Sequence, residues 1–139
     1  MVDRLRVLIV DDDQDFLDVM SEFLRRCGCI AVACNCLPDC LAAIHRDAFD
    51  VAIIDGFLRG CDGCDAVQEL RSADPGVRIV LLSGCDDLAR REQAIRAGAD
   101  IYLLKPCSIA VIRNVVQPGV GGTQQHRAIA TPIGALTDV

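Results

Sequence analysis

The chain has 139 residues, 52% of them apolar, a formal net charge of −6 and a pI near 4.7, which is enough for one domain with one substantial core. The acidic balance argues against a domain that gains its affinity by neutralising nucleic-acid phosphates. Residues 1–13 hold only four consecutive apolar residues before three aspartates, and no other run is long enough to cross a bilayer, so neither a secretory signal nor a membrane anchor is expected and the cytoplasm is the expected compartment.

In chain order, residues 5–10 form an apolar strand that ends in Asp11 and Asp12. Phe16, Met20, Phe23, Leu24 and Cys27 then recur at helical spacing, with Asp13 or Asp15 suited to the start and Gly28 to the end. Residues 30–34 make a weaker strand, followed by a short helix from Pro38 carrying Leu41 and Ile44. Val51, Ala52, Ile53 and Ile54 read as a strand buried on both faces, because a solvent-facing strand would alternate apolar with polar residues. It ends in Asp55. A glycine-containing loop over 56–63 leads to a helix with Cys64, Val67 and Leu70, stopped by Asp74, Pro75 and Gly76. Residues 78–82 are the fourth strand, ending in Ser83 and Gly84. Asp86 and Asp87 open a helix with a thin apolar stripe that Gly98 closes, and residues 101–104 are a fifth strand delivering Lys105 and Pro106. Ser108 caps a last helix carrying Ile109, Ile112 and Val116.

Strands and helices alternating five times imply an α/β fold, a parallel sheet with helices on both faces joined by right-handed crossovers. The pattern fails from Gln117. The expected division is a domain over residues 1–117 and a flexible C-terminal tail over 118–139.

Ligands of open parallel sheets bind beyond the carboxyl ends of the strands. Those ends carry Asp11 and Asp12, Asp55, Ser83 and Lys105, and neighbouring strands lie only about 5 Å apart. Three carboxylates so close repel one another unless a cation joins them, and magnesium, held by carboxylates, a carbonyl and water, suits such a set. Asp55 is then placed to attack phosphorus, with Lys105 and Ser83 holding phosphoryl oxygens. Taken singly, each residue has a plainer reading: the acids as helix caps, Ser83 as a cap, Tyr102 as core, Lys105 as a solvated charge. Their shared position at strand ends favours the site.

The acidic pair Asp11 and Asp12, Asp55, Asp62 with Gly63, Ser83 with Gly84, Tyr102, and Lys105 with Pro106, in this order, resemble the receiver domains of two-component response regulators. The resemblance runs from about residue 4 to residue 116. It implies a flavodoxin-like fold with strand order 2-1-3-4-5 and a phosphoryl group accepted by Asp55 from the histidine of a sensor kinase or from a phosphotransfer protein. The metal would be magnesium, bound by Asp11, Asp12, Asp55 and the backbone carbonyl of Phe57. Ser83 and Tyr102 would be the switch residues, and the fourth helix, fifth strand and fifth helix the output face, also used for homodimers in the family. A cis bond before Pro106 is implied as well.

Three positions depart from the family pattern. Phe57, two residues after Asp55, places a large ring where water would approach the phosphoryl group, which implies slow autodephosphorylation. Arg59 stands where proline is usual, which implies a looser loop. Gly84 implies an open pocket that admits small phosphodonors.

Two other functions use similar residues. A magnesium-dependent phosphohydrolase also has a strand-end aspartate nucleophile, but here no acid stands two residues after Asp55 and no cap domain is present. A receiver-like docking module that is never phosphorylated is disfavoured by the intact Asp55 and Lys105. The chain is expected to be a phosphoacceptor switch and not an enzyme acting on other molecules. Residues 118–139 are too few for an effector domain, so the expected output is docking onto an unknown downstream protein, or an effector in a longer chain, with no nucleic-acid or membrane binding by this segment.

Nine cysteines in a chain without a secretory signal are expected as reduced, mostly buried thiols. Cys61 and Cys64 have the spacing of a metal or redox pair but lack a partner pair. Cys29 and Cys34 bound one strand and lie roughly 16 Å apart at the usual rise, so the cysteines around them cannot share one zinc. A redox role is left for Cys61, Cys64, Cys85 and Cys107 near the crevice.

Overall fold

The computed structural model describes residues 4–117. Five strands, β1 (Arg6–Val10), β2 (Ile30–Cys34), β3 (Val51–Asp55), β6 (Arg78–Ser83) and β7 (Ile101–Leu104), form one sheet in the order β2-β1-β3-β6-β7. Every pairing is parallel. Counting the sheet strands alone, this is the expected 2-1-3-4-5 order. The reading of residues 118–139 as a tail falls outside the described residues.

Because side chains alternate across a strand, each strand feeds two cores. Leu8, Val10, Ala52, Ile54, Ile79, Leu81 and Tyr102 pack with residues of α2 (Leu37–Arg46), α3 (Gly63–Ala73) and α4 (Leu88–Ala97). On the other face, Val7, Ile9, Val51, Ile53, Val80, Leu82, Ile101 and Leu103 pack with α1 (Gln14–Arg26) and α5 (Ile109–Val116). All five residues of β3 are buried, which explains its unbroken apolar run. Each such Leu or Ile side chain contributes about 1.5–3 kcal/mol by leaving water.

Four of the five helices begin where short polar side chains satisfy free amides, and α2 begins instead with Pro38 in its first turn. Asp13 accepts from the Asp15 and Phe16 amides, Asp62 from Cys64, Asp87 from Ala89 and Ser108 from Val111. Gly28, just past α1, has φ +92°, a conformation that side-chain-bearing residues rarely adopt. The α4 helix buries the fewest residues: Ala94 is its buried residue, while Leu88 and Ile95 are 60% and 46% exposed.

The stretch read as a plain loop after β3 is a small antiparallel hairpin, β4 (Phe57–Leu58) and β5 (Cys61–Asp62). Its strands are two residues long, too short for any periodicity to register. The Gly63 amide donates to the Gly56 carbonyl at 3.2 Å, and a Cβ on Gly63 would lie 2.6 Å from Gly56 Cα. Gly63 is therefore required for the hairpin to fold back beside Asp55.

Candidate functional site

Asp11 follows β1, its amide donating to the Cys34 carbonyl and its Oδ1 accepting from the Asp13 amide at 2.9 Å. Asp55 ends β3 on the adjacent strand, and Asp12 stands next to Asp11. One carboxylate oxygen from each of the three lies within 4.8 Å of the others. Among the described residues no other group of three or more His, Cys, Asp or Glu is so arranged.

Lys105 follows β7 at the far side of this group. Its amide donates to the Ser83 carbonyl, and its ammonium donates to Asp55 Oδ1 at 3.0 Å and lies 3.6 Å from Asp11 Oδ2. The ammonium also stands 5.5 Å from the centre of the Phe16 ring, a cation–π contact from α1. The peptide bond between Lys105 and Pro106 is cis, as the resemblance implied.

The electrostatics follow from burial and from crowding of like charges. Asp11 is 2% exposed, and burial together with the Asp55 and Asp12 charges raises its carboxyl above the usual range despite the Asp13 amide and Lys105. Burial draws the Lys105 ammonium down, but the Asp55 and Asp11 carboxylates outweigh it, so its pKa ends above the ordinary value. Lys105 offsets one of three negative charges, and the hard oxygen donors that remain fit a small divalent cation.

Ser83, at the end of β6, is buried, and its Oγ accepts from the Cys85 amide at 3.1 Å. A Cβ on Gly84 would meet nothing within 4 Å, in line with an open pocket on that side. Tyr102 lies inward, 1% exposed, and its hydroxyl donates to the Cys85 carbonyl at 2.7 Å. Burial pushes its phenol up, opposed by the neighbouring Ser83 hydroxyl.

Phe57 and Arg59 reach the acidic cluster through their backbone amides. The Phe57 amide donates to Asp55 Oδ1 at 3.3 Å and its ring is 83% exposed. The Arg59 amide donates to Asp12 Oδ2 at 3.0 Å. The looser loop expected from Arg59 is thus corrected: arginine keeps the N–H that proline lacks, and that N–H pins the hairpin to the acidic cluster.

Arg90 was legible only as one of several helix charges. It donates from Nη2 to Asp62 Oδ1 at 2.9 Å, from Nη1 to Asp62 Oδ2 at 3.1 Å, and from Nη2 to the Gly56 carbonyl at 3.3 Å. The Arg90 guanidinium holds the Asp62 carboxyl below the usual range. No local signal pairs residues so far apart; an arginine on an otherwise weakly apolar helix is the nearest hint. Phe16 likewise read only as core.

The nine cysteines are all free thiols. Burial pushes the Cys40 thiol up to about 12 and raises Cys29, Cys34, Cys61, Cys64 and Cys107. None of these six is activated, whereas Cys85 is exposed.

A family model described as the response regulator receiver domain matches residues 7–117. The probable transcriptional regulatory protein TcrX of Mycobacterium tuberculosis is 34% identical over 103 residues, which is 74% of this chain and 44% of that protein. The DNA-binding response regulator MtrA of Mycolicibacterium paratuberculosis is 33% identical over 103 residues, 74% of this chain and 45% of its own. The chain thus spans less than half the length of these relatives. Among solved structures, a CheY-like response regulator receiver domain protein from Methanospirillum hungatei JF-1 superimposes with a TM-score of 0.80 at 25% identity, covering 86% of this chain and 95% of the other. A response regulator protein from Burkholderia pseudomallei, with a phosphorylated aspartic acid, calcium ion and citrate, superimposes with a TM-score of 0.77 at 26% identity, covering 92% and 75%. Sheet order, the converging strand ends and a family match over nearly all the described residues lead to one assignment: the chain belongs to the receiver domains of two-component response regulators.

Proposed function

We propose that Asp55 is the phosphoacceptor of this receiver domain, which occupies residues 1–117. The observation that carries the reading is the Lys105 ammonium held between Asp55 at 3.0 Å and Asp11 at 3.6 Å, beside a cluster of three carboxylates. In the reaction an Asp55 carboxylate oxygen attacks phosphorus, the bond from phosphorus to the donor's nitrogen or oxygen breaks, and its electron pair leaves with the donor. Asp11, Asp12, Asp55 and the Phe57 backbone carbonyl would hold the metal, which we take to be magnesium; when bound, it supplies positive charge against the phosphoryl oxygens. Lys105 orients and neutralises one phosphoryl oxygen as a point charge, and the Ser83 hydroxyl donates to another. Asp11 holds Lys105 toward the site.

The donor is a sensor histidine kinase or a phosphotransfer protein, and the reaction is self-directed; substrates are not turned over. The switch is Ser83 with Tyr102, read out by α4, β7 and α5 toward a downstream protein or a second copy of the chain. The phosphorylated aspartic acid and calcium ion of the Burkholderia pseudomallei regulator support both the acceptor chemistry and the metal.

The test is incubation with acetyl phosphate with and without magnesium, followed by the mass of the intact chain. A gain of one phosphoryl group that needs magnesium and is lost in Asp55→Ala supports the proposal. A gain retained in Asp55→Ala, or steady turnover of phosphate esters, refutes it.

A further inference from the structure

The turn joining β4 to β5 consists of Arg59 and Gly60. Gly60 has φ +75°, and among the described residues none other than glycine has positive φ, so Arg59 stands at the second position of a type II turn. Proline suits that position, and its replacement by arginine adds two groups to the site: an N–H and a guanidinium. Both lie near one atom. The N–H donates to Asp12 Oδ2 at 3.0 Å, and Nε of the side chain lies 3.9 Å from the same oxygen. Asp12 is one of the three clustered carboxylates. With Lys105 balancing one negative charge of the cluster, Arg59 balances a second.

We propose that Arg59 sets the divalent-cation affinity of the acidic site, its guanidinium acting as a resident cation at Asp12 that an incoming metal ion must displace. The inference rests on the reading of Asp11, Asp12 and Asp55 as a metal site. The physical argument is direct. A metal ion at Asp12 Oδ2 meets a like charge within a few ångströms, and the arginine must swing away or be tolerated. The side chain is 90% exposed and Asp12 is 29% exposed, so the pair is solvent-screened and the effect is modest. It is also dependent on ionic strength, because exposed charges are screened by salt. The backbone N–H is a separate matter: it steadies the Asp12 carboxylate whatever the side chain, and only proline removes it.

The experiment is calorimetric titration of the full chain with magnesium chloride at low and high ionic strength, comparing wild type with Arg59→Lys, Arg59→Gln and Arg59→Ala. All three replacements keep the N–H and alter a side chain on the surface. Affinity is expected to rise about two- to five-fold in Arg59→Gln and Arg59→Ala, to stay near wild type in Arg59→Lys, and the gap is expected to narrow as salt is raised. Equal affinities in all four proteins, or weaker binding in the uncharged variants, would overturn the proposal. Magnesium binding in none of them overturns the metal-site reading itself, and this inference with it. Circular dichroism of each variant separates these outcomes from misfolding.

Discussion

Arg90 in α4 grips the Asp62 carboxylate with both terminal guanidinium nitrogens, at 2.9 and 3.1 Å, and so ties that helix to the hairpin beside Asp55. The α4 helix buries little of its own surface, Ala94 being its buried residue. Elements with few buried contacts open locally at low free energy. In Arg90→Ala, amide hydrogen exchange across residues 88–97 should accelerate while β1 and β3 keep their protection. Lysine at this position restores the charge but not the two-pronged geometry, so recovery in Arg90→Lys should be partial. Unchanged exchange in Arg90→Ala would remove the link between helix and hairpin.

The same pair gives a pH signature. The hydrogen bonds from Arg90 lower the Asp62 pKa in the folded state, so the folded chain binds fewer protons at this group than the unfolded chain as pH falls through the aspartate range. The stability it contributes is present above the unfolded pKa and is lost as pH falls through the depressed folded one. Asp62→Asn keeps a cap for α3 and removes the charge. Denaturation should show it less stable than wild type by about 0.5–1 kcal/mol at neutral pH, with the difference vanishing in strong acid. A gap that persists there would point to the cap instead of the ion pair.

Phe57 bears on the lifetime of the phosphorylated form. Its amide donates to Asp55 Oδ1, and its large, 83% exposed side chain follows the phosphoacceptor by two residues. Replacing the ring by a small polar side chain that can order water should speed loss of the phosphoryl group. Phosphorylated Phe57→Asn, followed by intact mass after removal of the donor, is expected to revert several times faster than wild type. Equal or slower reversion would contradict a shielding role.

Thiol reactivity should follow burial. Cys85 is exposed, while Cys40 is fully buried with its pKa pushed up to about 12. Limited alkylation of the native chain, read by peptide mass, should modify Cys85 first and leave Cys40 unmodified until denaturant is added. Selective disulfide formation between Cys61 and Cys64 on treatment with a mild oxidant would revive the redox reading of their spacing.

The alternation of strands with helices and the positions of Asp11, Asp12, Asp55, Ser83 and Lys105 at strand ends were legible in the sequence for a physical reason, whereas the strand order came from the family resemblance. Buried parallel strands are continuous apolar runs, and polar residues that end them mark the ligand-binding edge. The hairpin was not, because four paired residues carry no periodic signal and their register depends on Gly63 lying against Gly56. The Arg90 and Asp62 pair and the Arg59 contact with Asp12 were invisible as well. A charged side chain in sequence looks the same whether it is solvated or paired across 28 or 47 residues. Phe16 shows the limit from the apolar side: its helical spacing marked it as core, but not that its ring stands beside Lys105.

The central claim is that one carboxylate among several crowded ones takes the phosphoryl group. Borohydride reduction converts an aspartyl phosphate to homoserine, and peptide sequencing by mass spectrometry then locates the modified residue. After treatment with acetyl phosphate and magnesium, the account predicts homoserine at position 55 and an unmodified aspartate at positions 11 and 12. Homoserine at either of those positions, or none anywhere in a chain that has gained phosphoryl mass, would contradict it.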